Sequence, residues 1–307
     1  MQETEASTID FKAVELADKP IFDKAFAARR YENAHFNFTN LFMWQKAYDI
    51  QWTAWEDLIL VKACWEGSHF VLPPFGSDRN FGDGVLQLKR YLSGDGREFL
   101  LRGCEKFMLE LLDEQLPGAF RAEEDRDNFD YLYKAEDLRE LKGRKFHKKK
   151  NHANAFRQSY PEYEYRVMDE TVALETQTFL KEWCRQRDCE KGDSLDCERK
   201  ALSIGLQNFR ALGISGGAIY VKNEMKAVTF GEKINSDTAV VHAEKADTEL
   251  RGIYTAICQD YCQHAWSDVA YINREEDMGE ENLRKAKLAY QPIRLIEKYV
   301  LTANDSR

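Results

Sequence analysis

Apolar positions along this chain alternate between a period near two and a period near three to four, and each switch marks a predicted element. A short opening strand is expected from Asp10 to Leu16. Pro20 then starts a helical pattern in which Ile21, Phe22, Ala25 and Phe26 share one face. In the aromatic stretch HFNFTNLFMWQKAY, Thr39 or Asn40 can cap a short helix carrying Leu41, Phe42 and Trp44. Strand-like runs follow at Tyr48 to Ala54, Leu58 to Cys64 and His69 to Leu72, and Pro73 and Pro74 close the third. FGSDRNFGDG reads as a loop that opens a helix near Val85 to Leu92. A strand at Glu98 to Leu101, a helix at Glu105 to Glu114, and strands at Ala119 to Glu123 and Phe129 to Tyr133 complete the first half. Hairpins mixed with helices predict α+β architecture rather than a regular βαβ alternation.

The second half repeats the theme in a different order. Tyr163 to Met168 reads as a strand. Thr171 to Arg187 reads as a helix with Val172, Thr176, Phe179 and Trp183 on one side. DCEKGDSLDCE is a polar loop, and Arg199 to Leu212 is a further helix. Strands at Ser215 to Val221, Lys226 to Ile234 and Thr238 to Ala243 are joined by the tight polar turns KNEM and NSD, the pattern of an antiparallel meander. A helix from Gly252 to Ala265, a strand from Val269 to Ile272, a helix from Glu280 to Tyr290 and a last strand from Ile293 to Val300 follow. This order predicts an open sheet whose strands splay where the fourth meets the fifth.

Composition narrows the class. The 307 residues fit one large domain or two smaller ones, and 43% hydrophobic content supplies ordinary cores. Seven Cys without a CxxC read as reduced thiols in a cytoplasmic protein, and no His lies near Cys184, Cys189 and Cys197 at zinc-ligand spacing, so no metal is expected. The N-terminal MQETEASTIDF has neither a basic start nor an apolar core, and no apolar run reaches the length of a membrane span. Any membrane contact is therefore expected to be peripheral, at an anionic lipid surface.

Charge changes the picture more. The chain carries a net charge of −9, yet the nineteen residues from Arg139 to Arg157 hold eight Lys or Arg, two His and one acid, Glu140. Like charges crowded together cost free energy unless something offsets them. On a helix, Lys145, Lys148, Lys149 and His152 form one basic stripe beside Phe146 and Ala153, with Lys150 and Arg157 near the apolar side. Two readings follow: a solvated helix with basic decoration, or a site for a phosphate or polyanion. A Lys beside an apolar side needs an anion or a path for its head group to water.

The segments GRKFHKKKNHANAF, HAEKADTELRGIYTAICQDY and INREEDMGEENLRKAKLAYQP resemble the family named for the C-terminal domain of phosphatidylglycerol lysyltransferase. FNFTNLFMW and FVLPPFG resemble the same family, so the resemblance covers most of the chain. The order of elements in the second half resembles the acyltransferase fold of the GNAT superfamily. With the related Fem-type aminoacyltransferases, the resemblance implies two tandem GNAT-like (acyl-CoA N-acyltransferase) α+β domains with mixed, mostly antiparallel sheets flanked by helices. The expected division is an N-terminal domain over 1–140, a basic linking helix over 141–158 and a C-terminal domain over 159–307. The relatives transfer an aminoacyl group from aminoacyl-tRNA to an amine or hydroxyl of a lipid or of peptidoglycan, although many members have no assigned reaction.

Acetyltransferases of this superfamily hold the coenzyme A pyrophosphate on a glycine-rich turn at a helix N-terminus, R/Q-x-x-G-x-G/A. The corresponding residues here run from Glu249 through Arg251 and Gly252 to Tyr254, with one Gly and a bulky Tyr where close backbone approach is needed. That departure argues for an aminoacyl-tRNA donor over an acyl-CoA, or for no donor, and Gly252 can equally be a plain helix-start glycine. Acyl transfer needs oxyanion donors, which a bulged strand at Val240 to Ala243 can offer, and a proton acceptor, for which Glu244 is named. The resemblance places Tyr290 where these enzymes keep a tyrosine that protonates the leaving group. His242 is a weaker candidate base. Glu244 is otherwise a surface acid or cap, Tyr290 a core aromatic and His242 a packed side chain. Arg274, Glu275 and Asp277 precede a helix, where acids favour the macrodipole; read functionally, Glu275 and Asp277 recognise a cationic amine. Arg284, Lys285 and Lys287 form a second basic group that, with Arg251 and the central stretch, can line a groove for a phosphate-bearing ligand or tRNA. The expected function is an acyl- or aminoacyltransferase. The alternative is a catalytically silent protein of the same fold that binds a polyanion or nucleotide.

Overall fold

The computed structural model describes residues 9–187, 189 and 194–304. The first strands are β1 (Lys12–Ala13), β2 (Gln51–Trp55), β3 (Leu58–Trp65), β4 (Ser68–Val71), β5 (Phe75–Gly76), β6 (Leu100–Cys104) and β7 (Phe120–Glu124). Next come β8 (Asp130–Lys134), β9 (Glu164–Val167), β10 (Ser215–Val221), β11 (Glu224–Lys233) and β12 (Thr238–Ala246). The last are β13 (Tyr271–Asn273), β14 (Arg294–Ile296) and β15 (Tyr299–Ala303). The helices begin with α1 (Lys19–Ala27), α2 (Phe38–Trp44), α3 (Phe81–Gly94), α4 (Lys106–Gln115) and α5 (Ala135–Glu140). Then follow α6 (His147–Ser159), α7 (Glu170–Arg185), α8 (Ser194–Gln207), α9 (Phe209–Leu212), α10 (Ile253–Ala265) and α11 (Glu281–Leu288). The α+β class is as expected.

The chain forms two compact units that are not consecutive halves. One comprises residues 1–30, 44–128 and 297–307, the other 31–43 and 129–296. The first holds a sheet in the order β1-β2-β3-β4-β6-β15-β7, with β5 paired to β3. The second holds a sheet in the order β14-β8-β13-β12-β11-β10-β9. Two strands pair otherwise than expected. The strand near Phe129 to Tyr133 does not complete the first half; as β8 it pairs with β13 and β14 in the second unit's sheet. The single last strand from Ile293 to Val300 is two strands, β14 beside β8 and β15 between β6 and β7. Alternating burial marks a segment as a strand but does not name its neighbours, which are set by non-local pairing.

In the second unit, β10 to β12 form the expected antiparallel meander, β9 pairs antiparallel with β10, and β13 joins β12 in parallel. Helix α10 packs on this sheet through Ile253, Ala256 and Ile257, which share a buried cluster with Ile219, Val221, Ala227, Ala246 and Leu250. The basic helix α6 lies against α10 and adds Phe156 to that cluster. Ala153 and Phe156, three apart, are its buried face, and Phe146 just before it is buried in a second cluster with Tyr133, Cys258 and Tyr290. Helix α7 starts on an Asp169 side chain that accepts from the Val172 amide at 2.9 Å. Its buried face runs through Val172, Thr176, Leu180 and Cys184, one position beyond the expected Phe179 and Trp183. Cys184 and Cys189 are joined by a disulfide, against the expectation of seven thiols, and five other cysteines are free. In the polar stretch after Arg187, residues 188 and 190–193 lie outside the described residues, and the next helix begins at Ser194 rather than Arg199. The N-terminal MQETEAST is likewise outside them. Among the described residues, no helix is long and apolar enough to cross a membrane.

Candidate active site

The site begins where β12 and β13 part. Their parallel pairing covers Thr238, Ala239 and Val240 against Tyr271, Ile272 and Asn273, and stops there. Beyond Val240, β12 continues to Ala246 with no strand partner on that side among the described residues. The parting coincides with a bulge: Phe230 pairs with Ala243 and Gly231 with Val241, which leaves His242 as the extra residue. A Cβ on Gly231 would sit 1.8 Å from the Val240 carbonyl oxygen, so only glycine lets β11 follow the kink. After β13 the chain turns sharply. Glu275 is left-handed at φ 57°, and its amide donates to Asn273 Oδ1 at 2.7 Å, which holds the turn.

Two cations meet one tyrosine here. The Arg274 guanidinium lies 4.6 Å from the Tyr290 ring centroid, and the Lys149 Nζ lies 3.8 Å from it. Arg274 Nη2 donates to Glu244 Oε1 at 2.9 Å, with both side chains nearly buried at 12% and 11% exposure. Arg274 Nη1 is buried and has no hydrogen-bond partner among the described residues. Lys149 makes no hydrogen bond or ion pair among the described residues, and the Tyr290 ring is its direct contact there. Burial, and then the charge of Arg274, push the Lys149 amine down to about 8. Burial raises the Tyr290 phenol well above its ordinary value, and its hydroxyl shares a hydrogen bond with Thr255, so Tyr290 stays protonated at neutral pH. Two positive groups thus face one carboxylate, with donors unspent. A buried donor left unpaired costs about 1–3 kcal/mol, which an incoming anion can recover.

The neighbouring basic residues divide. Lys148, Lys150 and Arg251 are exposed. His152 is half-buried, and its imidazole is pushed down by burial and then by Lys149, Arg251 and Lys148, which marks these four as one positive neighbourhood. Lys145 lies outside that group, ion-paired to Asp137 at 2.9 Å and over the Phe146 ring. Arg157 is spent on Asp260, Gln259 and Tyr163. Gly252 caps α10 at φ 89°, and a Cβ there would sit 2.1 Å from the His152 carbonyl oxygen. Close approach of α6 to the start of α10 therefore accounts for this glycine.

The acids after β13 turn inward. Asp277 accepts two hydrogen bonds from Arg284, at 2.8 and 2.7 Å, one from the Tyr131 hydroxyl and one from the Gly279 amide. Burial works against its charge, but Arg284 and Tyr131 outweigh it and hold the carboxyl down to about 2. Glu275 Oε1 lies 3.1 Å from His242 Nδ1, and Glu232 Oε1 lies 3.1 Å from His242 Nε2. Lys287 is directed at the carbonyls of Arg274 and Glu275 rather than at solvent. Glu232 and Asn273 escaped sequence reasoning. No local motif marks either residue, and their partners lie on other elements.

A bulged strand parted from a parallel neighbour, in a tandem two-sheet architecture, defines the class: the protein has a tandem GNAT-like fold, which it shares with FemX. Within that class the chain belongs to the family of phosphatidylglycerol lysyltransferase, C-terminal, whose sequence model matches residues 28–302. A conserved protein of unknown function from Bacteroides thetaiotaomicron VPI-5482 is 36% identical, with 96% of this chain and 100% of that one covered, at a TM-score of 0.90. The C-terminal domain of a protein described as a lysylphosphatidylglycerol synthetase, from Agrobacterium fabrum, shares the fold. It is 14% identical, covers 95% of this chain and 93% of that one, and has a TM-score of 0.69. An uncharacterized protein from Mycoplasmoides gallisepticum is 25% identical over 179 residues, which span 56% of this chain and 55% of that relative.

Proposed function

We propose that the chain transfers an activated acyl or aminoacyl group to an amine or hydroxyl acceptor at the parted strands. The observation that carries the reading is the pair of unspent cationic donors, Arg274 Nη1 and Lys149 Nζ, beside the protonated Tyr290. When the acceptor attacks the acyl carbonyl, negative charge develops on the carbonyl oxygen, and these two groups receive it. Glu244, whose second oxygen makes no hydrogen bond among the described residues, takes the proton from the acceptor. Tyr290 gives a proton to the departing oxygen and recovers one from solvent. Support for an aminoacyl-tRNA donor over an acyl-CoA comes from the single glycine before α10, already taken up by α6. A lipid acceptor is supported by family membership, and Lys148, Lys150 and Arg251 are the exposed charges for a phosphate-bearing substrate. The second reading, silent polyanion binding, draws on Glu244 being tied to Arg274 and on the burial of Tyr290.

The test offers the purified chain labelled aminoacyl-tRNAs and acyl-CoAs with anionic-lipid vesicles and simple amines as acceptors. Transfer is expected, reduced by roughly 10²-fold or more in Y290F and K149M. No transfer from any donor, with pyrophosphate binding that K149M abolishes, would replace catalysis with silent anion binding.

A further inference from the structure

His242 is the extra residue of the β12 bulge, and its side chain is 1% exposed. Both ring nitrogens are taken by carboxylates: Nε2 by Glu232 from β11, Nδ1 by Glu275 from the loop after β13, each at 3.1 Å. An ionised carboxylate only accepts hydrogen bonds, and a neutral imidazole has one N–H. Two carboxylates on one ring therefore call for an imidazolium. The other charged groups facing this cluster are Glu276 of the same loop, with His35 3.3 Å from it, and Lys287 of α11, whose ammonium donates to the carbonyls of Arg274 and Glu275. Within the cluster the charges of Glu232 and Glu275 are offset by His242 and Lys287, while Glu276 adds a negative charge beside His35. The bonded chain runs from β11 through His242 to Glu275, the residue next to Arg274.

We propose that His242 is a positioning residue for this site: its imidazolium clamps loop 274–279 to the sheet and so holds Arg274 against Tyr290 and Glu244. It acts through Glu275 and does not touch the reacting groups. The proposal rests on the anion reading of Arg274 and Lys149 for its functional consequence, but the clamp is a separate physical claim. Burial works against the charge on His242, yet its hydrogen bonds to Glu232 and Glu275 outweigh it and raise its titration to about 9, in keeping with the geometry.

Three measurements on the full chain decide it. In imidazole NMR at neutral pH, with H242Q as the assignment blank, both His242 nitrogens are expected to carry protons and to titrate near pH 9. In hydrogen exchange, H242Q is expected to speed exchange of residues 274–279 while α10 stays protected. In calorimetry, H242Q is expected to weaken pyrophosphate binding by roughly ten-fold, the weight of one charged hydrogen bond. A neutral His242 ring at neutral pH, or wild-type exchange of 274–279 in H242Q, overturns the clamp. K149M separates the two claims. If it leaves pyrophosphate affinity unchanged, the anion reading fails, and the ring and exchange measurements still judge His242. Should H242Q not fold, E275Q removes one anchor; it is expected to lower the His242 titration and loosen the loop, and unchanged values overturn the proposal.

Discussion

Lys149 Nζ stands 3.8 Å from the centroid of the Tyr290 ring, half-buried and without an ion-pair partner among the described residues. The contact joins the mid-chain basic helix to the turn after α11. It separates Lys149 from its neighbours Lys148 and Lys150, which share its composition but remain exposed.

Anion binding is expected to weaken as pH rises. Lys149 must be charged to bind, and its amine titrates near 8, so pyrophosphate affinity should fall as pH passes that value. K149M should bind weakly and lose that step. Because the folded-state value lies below the unfolded one of 10.5, the lysine opposes folding at neutral pH, and K149M should raise the melting temperature while it lowers affinity. Calorimetry across a pH series and thermal scans check both.

E244Q removes the one carboxylate bonded to Arg274 among the described residues. Breaking a buried pair from one side costs about 3 kcal/mol, since the remaining charge is left uncompensated. Adding R274M to E244Q should recover part of the loss, because the stranded charge goes too. Urea unfolding of the single and double variants measures the coupling.

Two glycines with similar backbones should respond very differently to alanine. Gly213 has φ 77° with nothing within 4 Å of a built Cβ, whereas Gly252 has φ 89° with the His152 carbonyl oxygen at 2.1 Å, and both are left-handed. G213A should cost about 1 kcal/mol, the left-handed strain alone. G252A should cost several times that, because α6 and α10 must move apart. Equal costs in denaturant unfolding would show that the two helices do not meet closely there.

Acid should release the loop after β13. The folded-state value for Asp277, about 2, lies below its ordinary 3.8. Its contribution is thus present above the unfolded value and is lost as pH falls through 3.8 towards 2. D277N should lower stability at neutral pH by roughly 1–3 kcal/mol. It should also flatten the acid limb of a plot of urea midpoint against pH.

Much of the local structure was legible. The meander β10 to β12 and the strand parting followed from period-two runs, tight polar turns and element order, and the bulge near Val240 to Ala243 from the reaction that the family resemblance implied. Fold and family followed from short segments spread over most of the chain. The site was legible in part. Glu244, Tyr290, Lys149 and Arg274 were named from sequence, and the structure brings all four together. Glu275 and Asp277 were read as facing a cationic amine, but they meet His242 and Arg284 instead. A carboxylate on a polar loop looks the same in sequence whether its partner is a ligand or a residue thirty positions away.

The sequence by itself determined which segments are helix or strand, the charge excess of the central helix and the family, because these rest on neighbours within a few residues and on short motifs. Only the tertiary structure decided that β8 joins the second unit's sheet and β15 the first's, and that Lys149 rather than Lys148 or Lys150 reaches Tyr290. It also decided that His242 holds two carboxylates from separate elements. Burial and pairing between distant segments set those outcomes, and a local pattern carries the capacity to pair without the identity of the partner.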